Sequence, residues 1–217
     1  LATGDARPGE IMAITFTNKA AGEMRERVVE LVGPRARTMW VSTFHSACVR
    51  ILRREAPRLG LSSSFSIYDA TDSLRLMTLV CRDLGLYPKR YPPRAFSAQV
   101  SNLKNELIDH ETFAGRAINH QEKTLAEAYT DYQARLRRAN AVDFDDLISS
   151  TVAVLQLFPD VAEHYHRRFR HVLVDEYQDT NHAQYVLVNE LVGRGDGGVP
   201  PAELCVVGDA DQSIYAF

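Results

Sequence analysis

Apolar positions follow two different rhythms along this 217-residue chain. Near the start, Ile11-Met-Ala-Ile-Thr-Phe16 is a short unbroken apolar run, the pattern of a strand buried on both faces. From Asn18 the rhythm changes to a helical one. Ala20, Met24, Val28 and Leu31 recur at helical spacing until Gly33-Pro34 ends the run. Met39-Trp-Val-Ser42 predicts a second strand. It feeds a helix whose Phe44, Cys48, Ile51 and Leu52 share one face, with Arg50, Arg53 and Arg54 on a solvated one. Strand–helix–strand–helix order with short joints predicts an α/β protein with a parallel sheet covered by helices.

The pattern then becomes almost wholly helical over residues 70–138. One stripe holds Leu74, Met77, Cys81 and Leu84; another holds Leu125, Ala128, Tyr129, Tyr132 and Leu136. Between helices, Tyr87-Pro-Lys-Arg-Tyr-Pro-Pro93 reads as an extended basic and aromatic connector. These changes predict a sheet-forming core in residues 1–65 and 141–217, interrupted by an all-helical insertion over 66–140.

Sheet character returns with two apolar runs: His171-Val-Leu-Val174 reads as a buried strand and Leu204-Cys-Val-Val207 as a second apolar strand. The first delivers Asp175 and Glu176 to its exit; the second delivers Gly208-Asp-Ala-Asp-Gln-Ser-Ile-Tyr215. In parallel sheets, ligands gather in the crevice at the carboxyl edge. An Asp-Glu pair there suits magnesium and a polarised water. Two acidic strand-to-helix turns would look similar, because Asp is a common helix N-cap. The second such exit, carrying the uncharged Gln212, tilts the choice toward a nucleotide site.

Composition narrows this picture little. A hydrophobic content of 45% and a charged content of 24% are ordinary for a soluble protein. No apolar run approaches the roughly 20 residues needed to span a bilayer, and the first residues lack a signal peptide's pattern. Cys48, Cys81 and Cys205 are odd in number and far apart, which implies a reducing, cytoplasmic setting and neither a disulfide framework nor a zinc site. His164 and His166 flank Tyr165 as a solvated helix face. The net charge of −3 is unevenly spread, because residues 141–217 carry 13 Asp/Glu against 4 Lys/Arg. The mildly basic remainder suits a polyanion and the acidic last third a divalent cation.

A nucleotide hydrolase with such strands should own a Gly-x-x-x-x-Gly-Lys-Ser/Thr loop between a strand and a helix. The nearest match, Gly4-Asp-Ala-Arg-Pro-Gly9, is followed by Glu10 and Ile11. An anion there would repel phosphate, and the segment leads into a strand, so no helix N-terminus faces the ligand. The abrupt opening at Leu1 leads us to expect the first strand, its phosphate loop and most of its helix upstream.

Several motifs, in this order, resemble superfamily 1 DNA helicases of the UvrD/Rep/PcrA type. They are Ala13-Ile-Thr-Phe-Thr-Asn-Lys-Ala-Ala21 with Glu23-Met24, Val41-Ser-Thr-Phe-His-Ser46, Asp143-Phe-Asp-Asp-Leu147, Val174-Asp-Glu-Tyr-Gln-Asp-Thr-Asn181, and Val206-Val-Gly-Asp-Ala-Asp-Gln-Ser-Ile-Tyr215. Ser101-Asn-Leu-Lys-Asn-Glu106 is similar to part of the family's helical subdomain. The resemblance implies a partial RecA-like P-loop NTPase core with a helical inserted subdomain. It implies ATP and Mg2+ as cofactors, with Asp175 holding the metal and Glu176 orienting and deprotonating the attacking water. Gln212 would sense the γ-phosphate, with Asp209 beside it at the nucleotide.

The same resemblance places Phe16, Tyr215 and Phe217 against single-stranded DNA, where an aromatic face stacks on any base. Phe217 stands where the family usually has Trp. Thr15, Thr17, Asn18, Thr43 and His45 would donate hydrogen bonds to the DNA backbone. The implied parent is an ATP-driven 3′-to-5′ translocase and helicase of DNA repair or replication, acting on single strands and single-strand/duplex junctions. A second motor domain of the same polypeptide would supply arginine fingers, so the chain alone would be catalytically silent. Two other readings stay open: a non-catalytic DNA-binding module that has lost its phosphate loop, and the motor part of a RecB/AddA-like helicase–nuclease.

Overall fold

The computed structural model describes residue 1, residues 3–195 and residues 198–209. They divide into two compact units, one of Leu1–Ile51 with the segment from Thr151 onward, the other of Leu52–Ser150. The helical unit therefore starts earlier and ends later than the 66–140 insertion expected from sequence. The residues added after position 140 bring one short strand with them.

In the first unit, β1 (Ile11–Thr15), β2 (Trp40–Thr43), β5 (His171–Val174) and β6 (Glu203–Val206) form one parallel sheet in the order β2-β1-β5-β6. All five residues of β1 are buried, as a central parallel strand requires. Helix α1 (Asn18–Val32) starts on Thr17, whose side chain accepts a hydrogen bond from the Ala20 N–H at 3.1 Å. It ends at Gly33, which takes a φ of 86°. Leu31, placed by its spacing on the apolar stripe, is instead 83% exposed, and Ala21 is the residue that α1 buries.

Helix α2 (Phe44–Glu55) follows β2 directly, and α7 (Phe144–Leu157), α8 (Pro159–Arg168) and α9 (His182–Val192) complete the helices used by this unit. Cys48 is fully buried and hydrogen-bonded to Thr151; burial pushes its thiol up to about 12, so it is an inert packing residue. Of the arginines expected on a solvated face, Arg50 and Arg54 are exposed and Arg53 is half-buried, and two of the guanidiniums also lie over aromatic rings. Arg50 lies 3.9 Å over the Trp40 ring and Arg53 lies 3.8 Å over the Phe65 ring, each covering an aromatic face with its guanidinium. His166 is packed, with its Nε2 2.6 Å from the Glu190 carbonyl oxygen.

The second unit contains α3 (Ala70–Asp83), α4 (Pro93–Asn105), α5 (His110–Arg116) and α6 (His120–Arg138). It also holds a two-stranded parallel sheet of β3 (Ser66–Tyr68) and β4 (Ala141–Asp143). Met77, Cys81, Phe96, Tyr129, Tyr132 and Leu136 lie in one apolar core, so both predicted helical stripes face inward. At its edge sits a buried ionic cluster. Lys104 Nζ is 2.6 Å from Asp143 Oδ2 and 2.8 Å from Asp146 Oδ1. Asp143 also starts α7, because its Oδ1 accepts the Asp146 N–H at 2.8 Å and its own N–H donates back to Asp146 Oδ2 at 3.2 Å. Burial opposes the Lys104 charge, but the Asp146 and Asp143 carboxylates outweigh it and hold the ammonium above its ordinary range. Burial pushes the Asp146 carboxyl up to about 6. Among the described residues no helix is long and apolar enough to cross a membrane.

Candidate nucleotide site at the strand exits

Parallel register brings four strand ends onto one edge of the first unit. Thr15 pairs with Thr43, Ile14 with Val174, and Val174 with Val206. The backbone keeps the exits together past the last paired residues. The Asp175 N–H donates to the Ile14 carbonyl, the Val207 N–H to the Val174 carbonyl, and the Tyr177 N–H to the Val207 carbonyl, each at 2.9 Å. Asp175, Glu176, Gly208 and Asp209 therefore neighbour one another because β5 and β6 are adjacent strands, although 31 residues separate Gln178 from Asp209 in sequence.

The exit of β5 turns sharply. Glu176 takes a left-handed backbone (φ 52°, ψ 42°), a conformation that costs a residue with a side chain about 1 kcal/mol or more. Strain of this kind clusters at functional sites. The Glu176 N–H donates to Asp175 Oδ1 at 3.0 Å, and a single 3-10 turn, Tyr177–Asp179, carries the chain into α9. Asn181 caps that helix by accepting the Gln184 N–H, and the Gln184 side chain bonds back to the Asn181 N–H. A rigid helix start thus fixes one end of the acidic turn.

Asp175 is half-buried and Glu176 is exposed. Carboxylate oxygens of this kind suit a hard divalent cation such as magnesium. Among the described residues no group of three or more His, Cys, Asp and Glu side chains gathers, so a cation here would draw its remaining ligands from water and nucleotide.

Spacing did not single out Gln178, yet it joins the two exits. Its Nε2 donates to Glu176 Oε2 at 2.8 Å, and its Oε1 accepts the Asp209 N–H at 3.1 Å. Gly208 makes room for it: a Cβ at that position would stand 2.7 Å from Gln178 Oε1. Nothing in hydrophobic periodicity marks Gln178, because one of its partners, the Asp209 N–H, comes from a different strand exit.

The residues expected to meet DNA fall into two groups. Phe16 is half-buried against Phe44, with ring centroids 5.3 Å apart; Thr17 and Asn18 are exposed, and His45 is half-buried. Thr15 is buried to 1% exposure, and Thr43 is buried with its Oγ1 donating to Ser46 Oγ at 3.0 Å and accepting the Ser46 N–H at 3.2 Å. Thr15 and Thr43, both expected at the DNA backbone, thus have buried side chains here. Thr43 instead ties the β2 end to the first turn of α2. Gln212, Tyr215 and Phe217 lie outside the described residues.

β6 falls where Leu204-Cys-Val-Val207 predicts an apolar strand. It is the outer member of the described sheet, and Leu204 and Val206 are exposed. Leu173 on β5 is exposed as well.

Adjacent acidic exits on a parallel sheet, with a separate helical unit, make this a partial RecA-like α/β core with an inserted helical subdomain. The chain belongs to the UvrD/REP helicase family, whose N-terminal domain matches residues 1–217. It is 68% identical over 214 residues to the ATP-dependent DNA helicase UvrD1 of Mycobacterium tuberculosis, covering 96% of this chain and 28% of that protein. UvrD1 of Mycobacterium leprae is 62% identical over 217 residues, with the same coverage. The ATP-dependent DNA helicase PcrA of Bacillus subtilis is 46% identical over 210 residues, covering 97% of this chain and 28% of PcrA. The chain thus spans little more than a quarter of the length of these relatives.

Proposed function

We propose that this chain forms part of the first motor domain of an ATP-dependent DNA helicase that moves 3′ to 5′ along single-stranded DNA. The observation that carries the reading is the placement of Asp175-Glu176 and Gly208-Asp209 at neighbouring exits of one parallel sheet. Magnesium, held through Asp175, would neutralise charge on the phosphates of ATP. Glu176, exposed at the turn, accepts a proton from a water placed against the terminal phosphate. Asp209 precedes Gln212 by three positions in sequence, and the Gln212 amide would sense whether that phosphate is present.

On the DNA side, Phe16, Tyr215 and Phe217 would offer stacking faces, and Thr17, Asn18 and His45 hydrogen-bond donors. Thr15 and Thr43, buried at the ends of β1 and β2, support the turns that carry Phe16, Thr17, Asn18 and His45. The phosphate loop and the arginine fingers belong to other parts of the parent polypeptide. Residues 1–217 alone, having no Gly-x-x-x-x-Gly-Lys-Ser/Thr sequence, hydrolyse no ATP. The parent's substrates are single strands and single-strand/duplex junctions, in DNA repair or replication.

Glu176→Gln in the full-length parent tests this reading. The amide keeps the shape of the side chain but takes no proton, so nucleotide affinity is expected to persist while DNA-stimulated turnover falls by about 100-fold or more. Turnover near that of the wild type would remove Glu176 from the chemistry.

A further inference from the structure

The backbone bonds between the β5 and β6 exits already hold the sheet together, so the Gln178 amide adds a link of a different kind. It connects a side chain at one exit to the loop at the other. Both partners fix its orientation. Glu176 Oε2 is an acceptor and can bind only the amide NH2; the Asp209 N–H is a donor and can bind only the amide oxygen. A flipped amide would set oxygen against carboxylate and NH2 against N–H. Neither an ionised carboxylate nor an ammonium of similar reach satisfies both ends, because the first has only acceptors and the second only donors. Gly208 leaves room for the amide, since a Cβ there would stand 2.7 Å from Gln178 Oε1 and make it shift.

We propose that Gln178 is a positioning residue that holds the Glu176 carboxylate in register with the loop begun by Gly208-Asp209. A shift of the Asp209 backbone then reaches the carboxylate through one amide. The inference rests on the assignment of Glu176 to water activation. No covalent step involves Gln178.

Two variants of the full-length helicase test this. Gln178→Met removes both arms at nearly constant volume. Gln178→Glu keeps the acceptor for the Asp209 N–H and sets a carboxylate against Glu176. Both are expected to lower kcat for DNA-stimulated ATP hydrolysis by about 10- to 100-fold, the scale of one charge-assisted hydrogen bond. The KM for ATP is expected to stay within about two-fold. Gln178→Glu retains the ratio of DNA-stimulated to DNA-independent rates, whereas Gln178→Met loses most of it.

A Gln178→Met protein with kcat near the parent value would overturn the proposal. So would a loss that appears equally in KM, or one that tracks the folded fraction in a thermal melt, because either reports binding or folding instead of positioning. Equal loss of DNA stimulation in the two variants would refute the link through Asp209. A fully active Glu176→Gln enzyme, measured alongside, would remove the reading on which the inference rests, and the inference with it.

Discussion

Replacing Lys104 with Met should weaken the helical unit strongly and in a pH-dependent way. Lys104 Nζ contacts Asp143 Oδ2 at 2.6 Å and Asp146 Oδ1 at 2.8 Å, with the three side chains 2%, 8% and 6% exposed. The Tyr132 hydroxyl also donates to Asp143 Oδ2, and Gln133 Nε2 donates to Asp146 Oδ1, both at 2.9 Å. These neutral donors cannot replace a cation. Methionine fills similar volume, so the loss is electrostatic, and breaking a buried ion pair from one side costs roughly 3–5 kcal/mol. Two buried carboxylates left without a cation take up protons more readily than they do in the unfolded chain. The folded variant then binds more protons than the unfolded one from about pH 4 to above 6, so its stability rises as pH falls through that window.

Hydrogen exchange by mass spectrometry on the full-length protein reads this locally, in peptides from α4 and α6. Protection in Lys104→Met should drop at pH 8 by a factor matching roughly 3–5 kcal/mol and recover in part near pH 5, after correction for intrinsic exchange. Adding Asp143→Asn and Asp146→Asn should restore much of it, because the buried charges are then gone. A penalty under about 1 kcal/mol at pH 8, or one that is the same at both pH values, would refute the electrostatic account.

Other consequences concern the motor. Gly208→Ala places a Cβ 2.7 Å from Gln178 Oε1 and so displaces the amide, and DNA-stimulated turnover should fall by about 10-fold or more while single-strand affinity is kept; unchanged turnover in a steady-state assay would show that the contact is slack. Phe217→Ala should weaken single-strand binding by about 1–3 kcal/mol and spare DNA-independent hydrolysis, and unchanged affinity in a titration at fixed salt would count against stacking.

Much of the fold was legible because parallel strands and amphipathic helices follow strict periods. The start of α1 at Asn18, the two inward stripes of the helical unit and the strands at Ile11 and His171 all follow from spacing. The acidic exits were legible too, since strand ends deliver their next residues to one edge. What escaped depends on partners distant in sequence. The Arg50 and Arg53 side chains look solvated on a helical wheel, yet they cover Trp40 and Phe65. Lys104 looks like a surface residue of a polar helix until Asp143 and Asp146 arrive from 39 and 42 positions away. Residues 141–150 read as sheet core, but β4 pairs with β3 in the helical unit. Gln178 is invisible to any pattern along one strand, because its meaning lies in the pairing of β5 with β6.

The most direct test is a crystal structure of the full-length helicase with a non-hydrolysable ATP analogue and Mn2+ in place of Mg2+. The account predicts an anomalous peak beside the Asp175 carboxylate, with Glu176 facing a water at the terminal phosphate and the Gln212 amide turned toward the same phosphate. A metal bound away from Asp175, with Glu176 and Gln212 facing unrelated surfaces, would contradict it.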